Sequence, residues 1–174
     1  MQNKSYKDWK IESTNLDGVF KITPSVFKDF RGQYIETYNK EFMRENNLDI
    51  DFLQDDISIS KKNVLRGIHG NHDTWKLISC LYGNFQLIVV NNNKDSLEYK
   101  KWESFDLSLK NREQIIVPPK FGNGHLVKSD FAIFHYKQNT QYVRESQFTI
   151  KWNDPVFNFK WDIAEEPILS ERDK

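Results

Sequence analysis

Apolar residues in this chain recur at every second position over short stretches, and that period dominates the sequence. Phe131, Ile133 and His135 alternate with Ala132, Phe134 and Tyr136. A period of two places successive side chains on opposite faces of an extended strand and does not fit a helix. Further strands are expected over 18–22, 33–38, 56–60, 75–82, 85–90, 114–117 and 147–152. A looser one carries Trp102, Phe105, Leu107 and Leu109. Gly83-Asn84, between two of these runs, has the composition of a two-residue hairpin turn. Ile88-Val89-Val90 interrupts the alternation, as a strand buried on both faces would. One segment, 39–47, reads as a helix. Asn39 can cap it, Glu41 lies in its first turn, and Asn46-Asn47 can end it. About ten short strands and one helix predict an all-β sandwich or barrel.

Composition agrees with this reading and narrows the function. Aromatic residues make up 14% of the chain, with 13 Phe, 7 Tyr and 5 Trp, so the core is built largely from rings. Rings and β-branched residues favour strands. A length of 174 residues predicts one domain over 1–174. Lys plus Arg and Asp plus Glu both number 25, which leaves no basic field to hold a nucleic acid. Cys80 is the only cysteine, which excludes an intrachain disulfide and a cysteine-based zinc cluster. The longest apolar run, 87–90, is far short of the roughly 20 residues of a membrane helix. The first residues show no apolar signal region. These features predict a cytoplasmic protein without a membrane partner.

Four histidines are available: His69, His72, His125 and His135. Two fall in the dense segment 64–73, which also carries Arg66 and Asp73. Lys76 follows, on a strand whose Lys76, Ile78, Cys80 and Tyr82 share a face. Facing inward, such a lysine is costly unless it works on an anion or a carbonyl. Facing outward, it is simply solvated. Tyr136 is open to the same two readings, as a proton donor or as packing. Arg31, after Asp29, is either part of a turn or a clamp for a phosphate. In the stretch 118–125, Gly122 and Gly124 either bring the backbone close to another group or make a tight turn between strands. The tail 167–173 starts too apolar to hang free and is expected to pack. His69 and His72, with His125 or Glu103, suit a metal in residue type, but a spacing of three points them to opposite faces of a strand.

Together these clusters resemble the nucleotide-sugar epimerases typified by dTDP-4-dehydrorhamnose 3,5-epimerase. The ordered motifs are Phe27-x-Asp29-x-Arg31-Gly32-x-Tyr34-x-Glu36, Gln54-Asp-Asp56 and Val64-Leu-Arg-Gly-Ile-His69. Lys76-Leu77, Tyr136-Lys137 with Tyr142, Trp152-Asn-Asp-Pro155 and Ile168-Leu-Ser-x-x-Asp173 follow. The resemblance implies a cupin-type double-stranded β-helix (jelly roll) with a short helix and a C-terminal extension. It also implies a homodimer, no metal and no organic cofactor. By resemblance, His69 is the general base, Asp173 holds it, Tyr136 is the opposing acid and Lys76 stabilises an enolate oxygen. Phe27, Arg31, Glu36, Gln54, Asp56, Arg66, Asn123, His125 and Tyr142 are the implied substrate contacts. The implied substrate is a nucleoside-diphosphate 4-keto-6-deoxy sugar, inverted at C3 whether or not at C5 as well, for surface polysaccharide such as capsule or lipopolysaccharide.

Three departures from the common family pattern stand out. Asn123 replaces a histidine, Gly70-Asn-His-Asp73 replaces an aromatic residue and a glutamine, and Asp56 stands where asparagine is frequent. The pattern Arg66-Gly-Ile-His-Gly70 with Lys120-Phe-Gly-Asn-x-His125 resembles a branch that includes epimerases of GDP-6-deoxy-4-keto-heptoses. A 3,4-ketoisomerase on the same barrel, or a non-catalytic or metal-dependent cupin, are the alternatives.

Overall fold

The computed structural model describes residues 6–174. Its regular structure is β except for one short α-helix and a 3-10 turn at Arg144–Ser146, and the strands form two facing antiparallel sheets. The first half of the chain gives β1 (Lys10–Ser13), β2 (Phe20–Thr23), β3 (Val26–Asp29), β4 (Gly32–Ile35), α1 (Lys40–Glu45), β5 (Gln54–Lys61), β6 (Leu65–Gly70) and β7 (Lys76–Tyr82). The second half gives β8 (Asn84–Asn91), β9 (Trp102–Ser108), β10 (Gln114–Val117), β11 (Phe121–Val127), β12 (Phe131–Gln138) and β13 (Phe148–Thr149). One sheet runs β1-β2-β10-β7-β12-β5 and the other β13-β6-β11-β8-β9, while β3 and β4 make a separate hairpin. This arrangement is a cupin-type jelly roll, so the fold is the expected one.

Between the sheets lies a core that includes Ile78, Phe85, Leu87, Val89, Leu107, Ile115 and Phe134. The two outer faces are covered differently. Over the second sheet, the C-terminal segment lays Ile150 and Phe159 against Ile68, Ile88 and Val90. Trp102 and Trp161 pin that segment, because their indole N–H groups donate to the Phe157 and Trp152 carbonyls at 2.9 and 2.8 Å. Ile88, Val89 and Val90 are therefore all buried, as their unbroken run predicts. Over part of the first sheet, α1 and the segment around Tyr6 and Trp9 cover Ile22, Leu77 and Ile116. The rest of that outer face is open, with Ile57 59% and Ile59 62% exposed.

The helix follows its sequence signals. The Asn39 side chain accepts from the Phe42 N–H at 3.0 Å, and Phe42 and Met43 are buried beneath the sheet. The tail 167–173 packs as expected. Ile168 bridges Val64 in parallel and exchanges backbone hydrogen bonds with Asn63 and Leu65.

Two expectations are corrected. Gly83 does not close a hairpin: β7 and β8 belong to different sheets, and the chain turns the corner there with φ +71. The stretch 118–125 is not simply a turn either. From Phe121 it is β11, buried along its whole length between β6 and β8. Its glycines serve close packing. A Cβ on Gly122 would lie 2.7 Å from the Ile68 side chain. The strand expected over 147–152 shortens to Phe148–Thr149, and β1 and β3 carried too weak an alternation to be foreseen. No helix among the described residues is long and apolar enough to cross a membrane.

Candidate active site

A cavity of about 180 Å³ opens between the sheets, lined by Arg66, His69, Asn123 and His125 on one side and Lys76 and Tyr136 on the other. Its second wall follows from register. Tyr136 pairs with Ile78 and Gln138 with Lys76, so on adjacent antiparallel strands their side chains share the inner face. Lys76 is thus inward and buried, only 7% exposed. The first wall needs an irregularity. Arg66 and His69 are three residues apart, a spacing that sends side chains to opposite faces of a regular strand. Opposite them, His125 and Asn123 are only two apart, with a register shift between. The extra residue in β6 is a β-bulge, and it turns both Arg66 and His69 into the cavity. Gly67 carries the bend at φ +110; a Cβ there would lie 2.7 Å from the Gly124 Cα.

His69 is backed from the C-terminus. Its Nε2 lies 2.7 Å from Asp173 Oδ1, and neither atom has a further hydrogen-bond partner among the described residues. Ser170 Oγ donates to the other carboxylate oxygen at 2.7 Å. Burial alone would raise the Asp173 carboxyl, but His69 and Ser170 more than offset it and hold it below the ordinary carboxylate value. Asp173 is 3% exposed by side chain, whereas His69 is 22% exposed toward the cavity.

On the facing wall, Lys76 Nζ donates to Asn123 Oδ1 at 2.9 Å and stands 5.9 Å from the centre of the Tyr136 ring. Burial, helped by the charge of Arg172, lowers the Lys76 ammonium to about 8. Tyr136 is shifted the other way. Burial and the neighbouring Asp56 carboxylate hold its phenol well above the ordinary value, so it stays protonated. Gln54 supports this wall, donating to Asp56 Oδ2 and accepting from the Tyr142 N–H, both at 2.7 Å. A second cavity, of about 410 Å³, adjoins the first through Arg66, His69 and Tyr142 and adds Arg144 and Arg172.

The cavity therefore gathers His69, Lys76, Tyr136, Arg66, Asn123, His125 and Tyr142, with Asp173, Gln54 and Asp56 just behind it. Phe27, Arg31 and Glu36 are not brought there within one chain. Phe27 and Arg31 sit on the projecting β3–β4 hairpin, where Arg31 pairs with Asp29 at 2.5 Å and its side chain is 76% exposed. Glu36 accepts from the Asn39 side chain beside α1. His72 lies on the exposed loop after β6 against Phe148, away from the lining residues. Ser58, Arg144, Gln147, Ser170 and Arg172 join the site without being expected from the sequence. Ser58 was readable, since period two puts it on the face of Asp56 and Ser60, and Ser170 lay inside a motif without a role. Gln147 carried no signal. Among the described residues, no group of three or more His, Cys, Asp or Glu side chains converges to hold a metal ion.

The barrel thus sets a His–Asp pair on one sheet opposite a lysine and a tyrosine on the other. The sequence profile of dTDP-4-dehydrorhamnose 3,5-epimerase matches residues 13–174. The dTDP-4-dehydrorhamnose 3,5-epimerase of Methanothermobacter thermautotrophicus is 34% identical over 171 residues, covering 96% of this chain and 92% of its own. That of Escherichia coli K12 is 36% identical over 165 residues, covering 92% and 89%. Among solved structures, the dTDP-6-deoxy-D-glucose-3,5-epimerase of Legionella pneumophila in complex with dTDP-4-keto-L-rhamnose superposes with a TM-score of 0.91 at 32% identity, covering 95% of this chain and 89% of that one. The chain belongs to the dTDP-4-dehydrorhamnose 3,5-epimerase family. These relatives do not favour the ketoisomerase or non-catalytic readings.

Proposed function

We propose that the chain epimerises a dTDP-4-keto-6-deoxy sugar, first at C3 and more slowly, if at all, at C5. The observation that carries this reading is the placement of base and acid on opposite sheets. His69 with Asp173 approaches the cavity from one wall, and Tyr136 with Lys76 from the other. A 4-keto group acidifies the hydrogens on both neighbouring carbons. Neutral imidazole is a competent base near pH 7. When His69 takes the C3 hydrogen, the C–H electron pair passes to the C4 oxygen, where the Lys76 ammonium offsets the new charge. Asp173 steadies the imidazolium formed. Tyr136 then returns a proton to the opposite face of C3, which inverts the centre with no net redox change. Arg66, Arg144 and Arg172, around the adjoining cavity, offer the cationic setting that a diphosphate needs. Asn123 holds the lysine rather than titrating, so we assign it to positioning. The names of the relatives support thymidine as the nucleoside.

Residues 1–174 are proposed to act as one cytoplasmic domain in surface-polysaccharide sugar synthesis, and as a homodimer. The open outer face at Ile57 and Ile59 and the protruding hairpin with Phe30 98% exposed support the dimer. In that assembly Phe27, Arg31 and Glu36 serve the partner's cavity.

Incubation with dTDP-4-keto-6-deoxyglucose in D2O, followed by NMR, tests the reading. Deuterium is expected at C3 before C5. Equal and simultaneous labelling would overturn the order proposed, and labelling only with the GDP or CDP sugar would overturn the nucleoside. Tyr136→Phe should keep C3 exchange on one face yet lose inverted product by roughly a hundredfold. Equal loss of both would make Tyr136 an orienting residue.

A further inference from the structure

His125 is a buried group for which the reaction above has no use. It faces inward from β11, is 3% exposed, and lines the cavity with His69, Lys76 and Tyr136. Its ring is fixed by aromatic neighbours. It stacks on Phe134 with centroids 4.2 Å apart at 9°, and leans on Phe85 at 5.2 Å. Yet its Nε2 is buried without a hydrogen-bond partner among the described residues. A phenylalanine would fill such an aromatic slot without a buried polar atom. An unpaired one carries its desolvation penalty uncompensated, so the imidazole is poorly explained as core packing.

The surroundings also decide against a second acid or base. Arg66 faces His125 across the β6–β11 ladder, and His69 and Asp173 are the other charged or titratable groups that act on it. Burial first, and Arg66 next, push the imidazole down to about 3, although Asp173 opposes this. His125 therefore stays neutral at any working pH, one nitrogen donating and the other accepting. Nearby polar groups are committed elsewhere: Asn123 Oδ1 to Lys76, the Arg66 Nε–H to Ser60, and His69 to Asp173.

Resting on the sugar-nucleotide reading, we infer that His125 is a specificity-determining residue that hydrogen-bonds a hydroxyl of the bound sugar. It recognises the sugar and leaves the nucleotide and the proton transfer to others. Such sites discriminate well, because a sugar lacking the hydroxyl leaves the buried nitrogen unpaired.

The test measures binding apart from turnover. Dissociation constants are compared for dTDP against dTDP-glucose, and for GDP against GDP-glucose, in the wild type and in His125→Phe. The variant should bind the sugar nucleotide about tenfold more weakly and the free nucleotide unchanged. Equal weakening of both would place His125 at the phosphates, and no weakening would make it a packing residue; either overturns the inference. A second measurement leaves the fold untouched. In the 15N-labelled wild type, the His125 ring nitrogens should shift on adding the sugar nucleotide and not the free nucleotide. An unmoved resonance with bound sugar, or no affinity gained from the sugar in either pair, also overturns it. Deuterium exchange reports on the reaction separately: its absence with these binding results intact would sink the epimerase reading alone.

Discussion

His69→Asn should lower deuterium wash-in at C3 roughly a thousandfold, with little change in the dissociation constant for substrate. The amide keeps a polar group of similar reach but cannot take a proton. Among the described residues no other base faces the cavity in a usable state: His125 is held neutral and weakly basic at about 3, Tyr136 keeps its proton, and Lys76 is the cation. Near-normal exchange in His69→Asn would remove the base from the mechanism. Asp173→Asn gives a graded companion result, a loss of roughly a hundredfold. The base remains, but the charge that steadies its protonated form is gone. Stability should respond with a definite sign. The Asp173 carboxyl is held below its ordinary 3.8, so its contribution is present above that value and disappears as pH falls through the folded one. The variant should thus be less stable than wild type at neutral pH, and the gap should close in acid.

Period two in the sequence exposed β5, β10 and β12, because each of these alternates cleanly or stops at a proline. It failed where burial is two-sided. Along β7, residues 76–80 are all buried, since α1 and its neighbours cover one face and the core the other. Alternation then carries no sign, and the direction of Lys76 could not be read. On β11 the failure is chemical. Gly122 and Gly124 look like turn residues, yet here the missing side chains let Ile68 press onto a central strand.

The site was legible in its residue types and not in its assembly. The His69–Asp173 pair joins β6 to the last turn of the chain, and no local spacing could reveal it. Arg66 and His69 converge only because the bulge at Gly67 adds one residue to β6. A rule of regular strands would have separated them. Arg31 marks the opposite case. Its motif is intact, but among the described residues it meets Asp29 and the adjacent Phe30 ring, so its use depends on what the hairpin meets outside that chain.

Lys76→Met should separate catalysis from stability. The ammonium is buried, and its only hydrogen-bonding partner among the described residues is the neutral amide of Asn123. A fall from the ordinary 10.5 to about 8 corresponds to roughly 3 kcal/mol against the charged form. Methionine fills a similar volume without charge but leaves Asn123 Oδ1 unpaired, which returns about 1 kcal/mol. At pH 7 the variant should therefore be more stable than wild type by about 2 kcal/mol, read from denaturant midpoints. The penalty is fully present below pH 8. Between about 8 and 10.5 the unfolded chain binds the extra proton and the folded chain does not, so wild-type stability rises with pH there and the advantage of the variant shrinks. Activity should move the other way. Without the cation, kcat/KM should fall by roughly a hundredfold to a thousandfold. In the wild type, kcat/KM should decline as pH passes through about 8, because the free enzyme loses the ammonium. The anionic substrate favours the charged lysine, so kcat should hold to higher pH than kcat/KM. A variant that loses stability as well as activity would show that Lys76 supports the wall rather than straining it.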